Sequence, residues 1–116
     1  MPTVIDASDD LRALFAVLAD PTRREVIAIL GDGPRRAGDL AAASGVSPSA
    51  MSRHLRTLLE AGVVDDQRPA EDARVREFRL QPEALTPLRS WLDQLQTQWE
   101  DRLEYFKRHV EAKERT

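Results

Sequence analysis

Residues 44–64 read SGVSPSAMSRHLRTLLEAGVV, and the reading of this run decides the fold. Ser47 is an N-cap candidate, Pro48 takes the first helical position where a missing N–H costs little, and Gly62 stops the helix after Ala61. The predicted helix, 47–61, is two-faced. With Ser49 at zero on a wheel of about 100° per residue, Ser52, Arg53 and Arg56 fall near roughly −60°, +40° and −20°. Met51, Leu55 and Leu58 fall near roughly 200°, 240° and 180°, so one side is built for burial and the other carries hydroxyls and guanidinium groups. Arginine bonds guanine or phosphate, serine serves either, and first-turn amides attract phosphate oxygens, which makes this polar side suited to a DNA groove. A solvated helix face is the plain alternative for the same residues.

The neighbouring segments favour the first reading. Upstream, RRAGDLAAASGV predicts a short helix over 36–44 that ends at Gly45, and only Leu40 and its alanines offer much to bury. Two helices joined by Ser-Gly-Val form a helix-turn-helix. Downstream, VVDDQR and RVREFRL flank PAEDA, which predicts a hairpin over 63–80 with a polar tip. A helix-turn-helix followed by a hairpin is the order of a winged helix. The hairpin brings Arg68, Arg74, Arg76 and Arg79, of which Arg74 and Arg76 are candidate phosphate contacts, while Glu71 and Asp72 at its tip repel the same phosphates.

Two more helices precede this unit and one follows it. SDDLRALFAVLA predicts a helix over 8–19, with Ser8 as cap, Asp9 and Asp10 in its first turn, and Leu11, Leu14, Phe15 and Leu18 at helical spacing. DPTRREVIAILGDGP predicts a second over 20–31, capped by Asp20, opened by Pro21 and ended by Gly31 and Gly33 before Pro34. Thr86 and Pro87 open a long helix over 86–112 whose apolar stripe, Leu88, Leu92, Leu95, Trp99 and Phe106 with Leu85 just ahead of it, is widened by Trp91, Leu103 and Val110. The fold class is therefore mainly α with a small β-hairpin, a winged helix-turn-helix in one domain of 116 residues. A chain this short has little else to cover that stripe, so a second copy is the expected partner.

Composition narrows the function. With no cysteine, disulfides and thiolate metal sites are excluded, and a cytoplasmic location is the natural expectation. The longest apolar run, 14–19, is far short of the roughly 20 residues of a membrane helix, and MPTVIDASDD lacks a signal pattern. The net charge of −3 is unevenly placed: −3 over 1–20, +1 over 21–80 and −1 over 81–116. Charge alone thus neither favours nor opposes a nucleic-acid partner. No nucleophile with a matching base, phosphate-binding glycine loop or metal cluster is present, so no enzyme activity and no cofactor are expected.

LADPTRREVIAIL, GDLAAASGVSPSAMSRHLRTLLEAGVV and RVREFRL together resemble the ArsR-type winged-helix transcriptional repressors, over roughly residues 10 to 82. The chain is most similar to their cysteine-free members. The resemblance implies a homodimer that binds operator DNA and represses transcription, held together by its first and last helices. It places the recognition helix at 47–60, with groove contacts from Ser49, Ser52, Arg53 and Arg56 and Ser47 as a further DNA-binding candidate, and the wing at 63–80. It places Leu11, Leu14, Phe15, Leu88, Trp91, Leu92, Leu95, Trp99, Leu103 and Phe106 at the dimer interface.

His54 matches a histidine common in the family, but near roughly 140° it flanks the buried side, which suits a partly buried, hydrogen-bonded ring better than a base reader. For Arg23 a helix-surface salt bridge and a phosphate contact fit equally. Where metal-sensing relatives carry Cys-x-Cys this chain has Arg36 and Gly38, Asp93 has no histidine two residues on, and His109 has no glutamate three residues on, so metal sensing is not expected. Two copies reading successive major grooves about 34 Å apart would require an inverted repeat in the operator. A small-molecule or protein effector is left open, and a winged-helix module that binds proteins without reading DNA is the rival reading.

Overall fold

The computed structural model describes residues 9–114. The chain runs α1 (Asp9–Leu18), α2 (Pro21–Leu30), β1 (Arg35–Arg36), α3 (Ala37–Ser44), α4 (Pro48–Glu60), β2 (Val64–Gln67), β3 (Glu77–Leu80), a 3-10 turn (Pro82–Leu85) and α5 (Thr86–Glu114). It is a winged helix-turn-helix. The expected cap Ser8 lies outside the described residues.

Local chemistry sets the helix starts. The Asp20 carboxylate accepts from the amides of Thr22 (2.8 Å) and Arg23 (3.2 Å), with Pro21 opening α2 behind it. Ser47 repeats the device on α4, its hydroxyl accepting from the Ala50 amide at 3.1 Å. Arg36 makes no side-chain cap on α3, as its identity leads one to expect. The turn between α3 and α4 depends on Gly45, whose left-handed φ of 67° a side chain would strain.

The core lies where these helices meet the sheet. Val26, Leu30, Leu40, Met51, Leu55, Leu58, Val63, Val64 and Phe78 are buried together, so the three apolar positions read from the wheel of α4 all point inward. No polar or charged residue is fully buried among the described residues. Leu11 and Leu14, expected at the dimer interface, are instead only 3% exposed in a single protomer. Leu14 belongs to the core and holds α1 against its own domain, and Phe15, 40% exposed, is the large apolar residue that this helix turns outward.

The sheet departs from a simple hairpin in two ways. Its order is β1-β3-β2, all antiparallel, with Arg35 opposite Phe78 and Arg36 opposite Glu77. A two-residue strand has no periodicity to read, which is why β1 is not foreseen. The β2 and β3 strands are also shorter than expected, leaving residues 68–76 as a loop. Within it the Asp72 carboxylate accepts from the Arg74 amide at 3.0 Å, and the Val75 amide donates to the Asp72 carbonyl at 3.1 Å. These local turn bonds compete with the ladder, and Pro69 has no N–H to extend it.

Helix α5 leaves the body of the molecule. A compact chain of this length has a radius of gyration near about 13 Å, whereas this one measures 20.5 Å and extends 75 × 26 × 26 Å. Leu88 packs against the core and Trp91 meets Phe15 edge-on at 5.5 Å between ring centroids. Further along, Trp99, Leu103, Phe106 and Val110 are all exposed, at 58%, 60%, 67% and 38%.

Candidate nucleic-acid interface

The outward side of α4 carries Ser49, Ser52, Arg53 and Arg56, all exposed. Their exposure follows from the opposite side: Met51, Leu55 and Leu58 are driven into the core, which fixes the rotation of the helix about its axis. Ser47 behaves differently from the rest, because its hydroxyl already caps the helix and lies 3.3 Å from that of Ser49. The guanidinium groups of Arg53 and Arg56 make no hydrogen bond or ion pair with the described residues.

The wing arginines are in a different state. Arg76 Nε donates to Asp66 Oδ2 at 2.7 Å and its guanidinium lies 4.8 Å from the centroid of Phe78, Arg79 pairs with Asp65 at 3.3 Å, and Arg74 pairs with Asp72 at 3.2 Å. Arg68 donates to the Ala73 carbonyl at 3.1 Å. The Arg76 hydrogen bond holds the Asp66 carboxyl below its ordinary range, and the Arg74 amide does the same for Asp72, helped by the Arg74 side chain and by the charge of Arg36. The wing thus balances much of its own charge. Such exposed pairs are weak and open readily toward a competing anion.

Ser52 and Arg56 meet Arg76 across a groove of about 400 Å³ floored by Ala37, Leu55, Leu59 and Phe78. The fold brings these three candidate contacts together although Arg76 is far from the helix in sequence. Arg74 does not line this groove; it sits in the 68–76 loop with its side chain 92% exposed.

Two features of the site escape sequence reasoning. Strand β1 sets Arg35 and Arg36 beside the wing through its pairing with β3. Arg23 is neither a salt bridge nor an open phosphate clamp: its Nε donates to the Val17 carbonyl at 2.8 Å and its Nη2 to the Ala16 carbonyl at 3.1 Å, capping α1 from outside. Its remaining nitrogen, Nη1, reaches the half-buried His54 of α4. The only available signal was the absence of a basic residue in the last turn of α1, which leaves those carbonyls to be satisfied by another element.

Residues 20–66 match the family described as bacterial regulatory protein, arsR family. The chain is 43% identical over 83 residues to the HTH-type transcriptional regulator Rv2034 of Mycobacterium tuberculosis, covering 72% of this chain and 75% of that protein. The chain belongs to the arsR family. Other relatives of this arsR-family protein include the transcriptional repressor SdpR of Bacillus subtilis, 36% identical over 50% of this chain and 64% of SdpR. Among solved structures it is similar to an ArsR-like transcriptional regulator from Rhodococcus sp. RHA1, with a TM-score of 0.72 at 28% identity over 89% of this chain and 92% of that one. It is accordingly an arsR-family transcriptional regulator with a winged helix-turn-helix, DNA-binding fold. No helix among the described residues is long and apolar enough to cross a membrane.

Proposed function

We propose that this regulator is a homodimeric repressor that binds an inverted-repeat operator. In this reading α4 enters the major groove with Ser49, Ser52, Arg53 and Arg56 toward the bases and adjoining phosphates, and Arg74 and Arg76 of the wing exchange their carboxylate partners for backbone phosphates. The observation that carries it is the contrast in charge state. Arg53 and Arg56, on the exposed side of α4, have no partner among the described residues, while the wing arginines are paired. Two unneutralised guanidinium groups on a docked, rigid helix are suited to an external anion. The exposed Phe15 and the apolar stripe of α5 supply the surface for a second copy, and the name of SdpR as a repressor supports the sign of the regulation.

A titration of the protein against random and promoter-flanking DNA over a range of salt tests the reading. The expected result is steep loss of affinity with salt and a preference for one palindrome. The self-neutralised wing and the net charge of −3 favour the rival, a module that binds protein and not DNA. Absence of DNA binding even at low salt would establish that rival.

A further inference from the structure

The groove between α4 and the wing offers more apolar surface than a DNA contact uses. Ser52, Arg56 and Arg76 stand at its exposed rim. Its floor differs in kind: Leu55 and Phe78 are core residues, each 2% exposed, and Ala37 and Leu59 pack against that core. A duplex presents phosphates and base edges, which are drawn to the cations of the rim and gain nothing from hydrocarbon. The volume of about 400 Å³ lies within the roughly 300–1,000 Å³ of pockets that hold small molecules. Such pockets combine a mostly apolar lining with a few convergent polar groups, as this one does.

The charges at the rim select the ligand. Two of the lining residues are charged, and both are cations. Arg76 Nε donates to Asp66 Oδ2 at 2.7 Å, which offsets one of them, and the same guanidinium lies 4.8 Å from the Phe78 ring centroid. The guanidinium of Arg56 has no partner among the described residues. One positive charge is therefore left over, beside a hydrocarbon floor.

We propose that this groove binds an organic monocarboxylate with an apolar body, and that such a ligand releases the regulator from DNA by direct competition. Release from DNA rests on the reading of Arg56 as a DNA contact; binding of the carboxylate does not. Arg56 and Ser52, four residues apart on α4, share one side of the helix and reach one ligand. The planar fork of Arg56 matches a carboxylate with two parallel N–H donors, and the Ser52 hydroxyl adds a third. The apolar body covers the floor. A phosphate monoester brings a second negative charge toward Asp66, and a small inorganic anion leaves the floor in water. Once filled, the groove has neither the free Arg56 nor the open rim that a duplex needs.

Octanoate is a direct probe of this site. Titrated into isotope-labelled protein without DNA, it should shift the amide signals of Ala37, Leu59 and Phe78 and leave those of α5 in place. It should bind at least about tenfold more tightly than acetate, through burial of its added methylenes. Octanol and octyl phosphate should both bind more weakly than octanoate. Arg56→Ala should weaken octanoate by about tenfold or more, as for loss of a hydrogen bond to a charged group. Ala37→Leu, which fills the floor and keeps both cations, should abolish the shifts. Shifts centred on the exposed aromatics of α5, equal binding of octanol, or tighter binding of octyl phosphate would each overturn the assignment.

A second titration separates the ligand site from its consequence. At constant ionic strength, octanoate at saturating concentration should displace promoter-flanking DNA, and the same concentration of acetate should not. Octanoate that occupies the groove while DNA stays bound would overturn the competition. A protein that binds no DNA at any salt removes the DNA reading and the release with it, while the amide shifts still decide whether the groove takes a carboxylate.

Discussion

Arg23 and His54 join the first helix to the recognition helix. Nη1 of Arg23 lies 3.4 Å from Nδ1 of His54, while the other nitrogens of the same guanidinium donate to the Ala16 and Val17 carbonyls at the end of α1. Arginine has no acceptor, so a hydrogen bond in this contact runs from Nη1 to Nδ1. One planar, five-donor group thus satisfies two carbonyls at the end of α1, beside Arg24, which donates to the Leu18 carbonyl at 2.6 Å, and reaches an imidazole on α4.

Replacing Arg23 should therefore cost stability. Arg23→Ala is expected to lower the unfolding free energy by about 1–3 kcal/mol, the range for hydrogen bonds from a charged donor. Arg23→Lys should recover only part of it, because one ammonium cannot span all three acceptors. Chemical denaturation of the three proteins checks this, and an Arg23→Ala protein as stable as the parent would refute the capping role.

The two sides of α4 should respond in opposite ways. Arg56→Ala should weaken specific DNA binding by about 1–3 kcal/mol if it reads a base, with little effect on melting. Weakening that is uniform across sequences would make Arg56 a phosphate contact. Arg53→Ala provides the same comparison on the other edge of the exposed side.

Leu58, fully buried on the inward side, should give the converse result. Leu58→Ala is expected to cost about 2–5 kcal/mol of stability through lost burial and a residual cavity. At temperatures where the variant is folded, its affinity for DNA should stay close to that of the parent. A large affinity loss in the folded variant would mean that the outward side is not independent of the packing beneath it.

The Arg76–Asp66 pair, at 2.7 Å, should restrain the wing. Asp66→Asn removes the competing carboxylate and is expected to raise affinity for random DNA. The slope of log affinity against log salt should become steeper by up to about one unit, as for one added phosphate contact. Unchanged affinity and slope would show that the Asp66 pair does not hold Arg76 back from DNA.

Acid should weaken the start of α2. Burial pushes the Asp20 carboxyl up, but the amides of Arg23 and Thr22, with the nearby charges of His54 and Arg23, outweigh it and bring the pKa below its ordinary 3.8. A lowered folded pKa means that the contribution is complete above the unfolded value and disappears as pH falls through the folded one. Melting curves of the parent and Asp20→Asn should therefore converge as pH drops below about 3.8, the ordinary value. A gap that stays constant across this window would show that the charge of Asp20 contributes nothing.

Much of the site was legible because its signals are local. Ser47, Pro48 and Gly62 mark the limits of α4, and the placement of Met51, Leu55 and Leu58 alone sets which side Arg53 and Arg56 occupy. The wing was less legible, since its strands end where Asp72 and Pro69 favour turn bonds over the ladder. Leu11 and Leu14 show a related limit: an amphipathic stripe states that a face is covered but not by what.

The amino-acid order by itself determined the helices, the N-caps of α2 and α4 and the split between the buried and displayed sides of α4, because each depends on residues within a turn or two of one another. Only the tertiary structure decided that Arg23 caps α1 and reaches His54, that β1 joins the sheet, and that Arg76 is held by Asp66 beside Arg56. These contacts join segments far apart in the chain. Which partner a side chain meets at that distance is set by the packing of whole elements, and no local pattern encodes it.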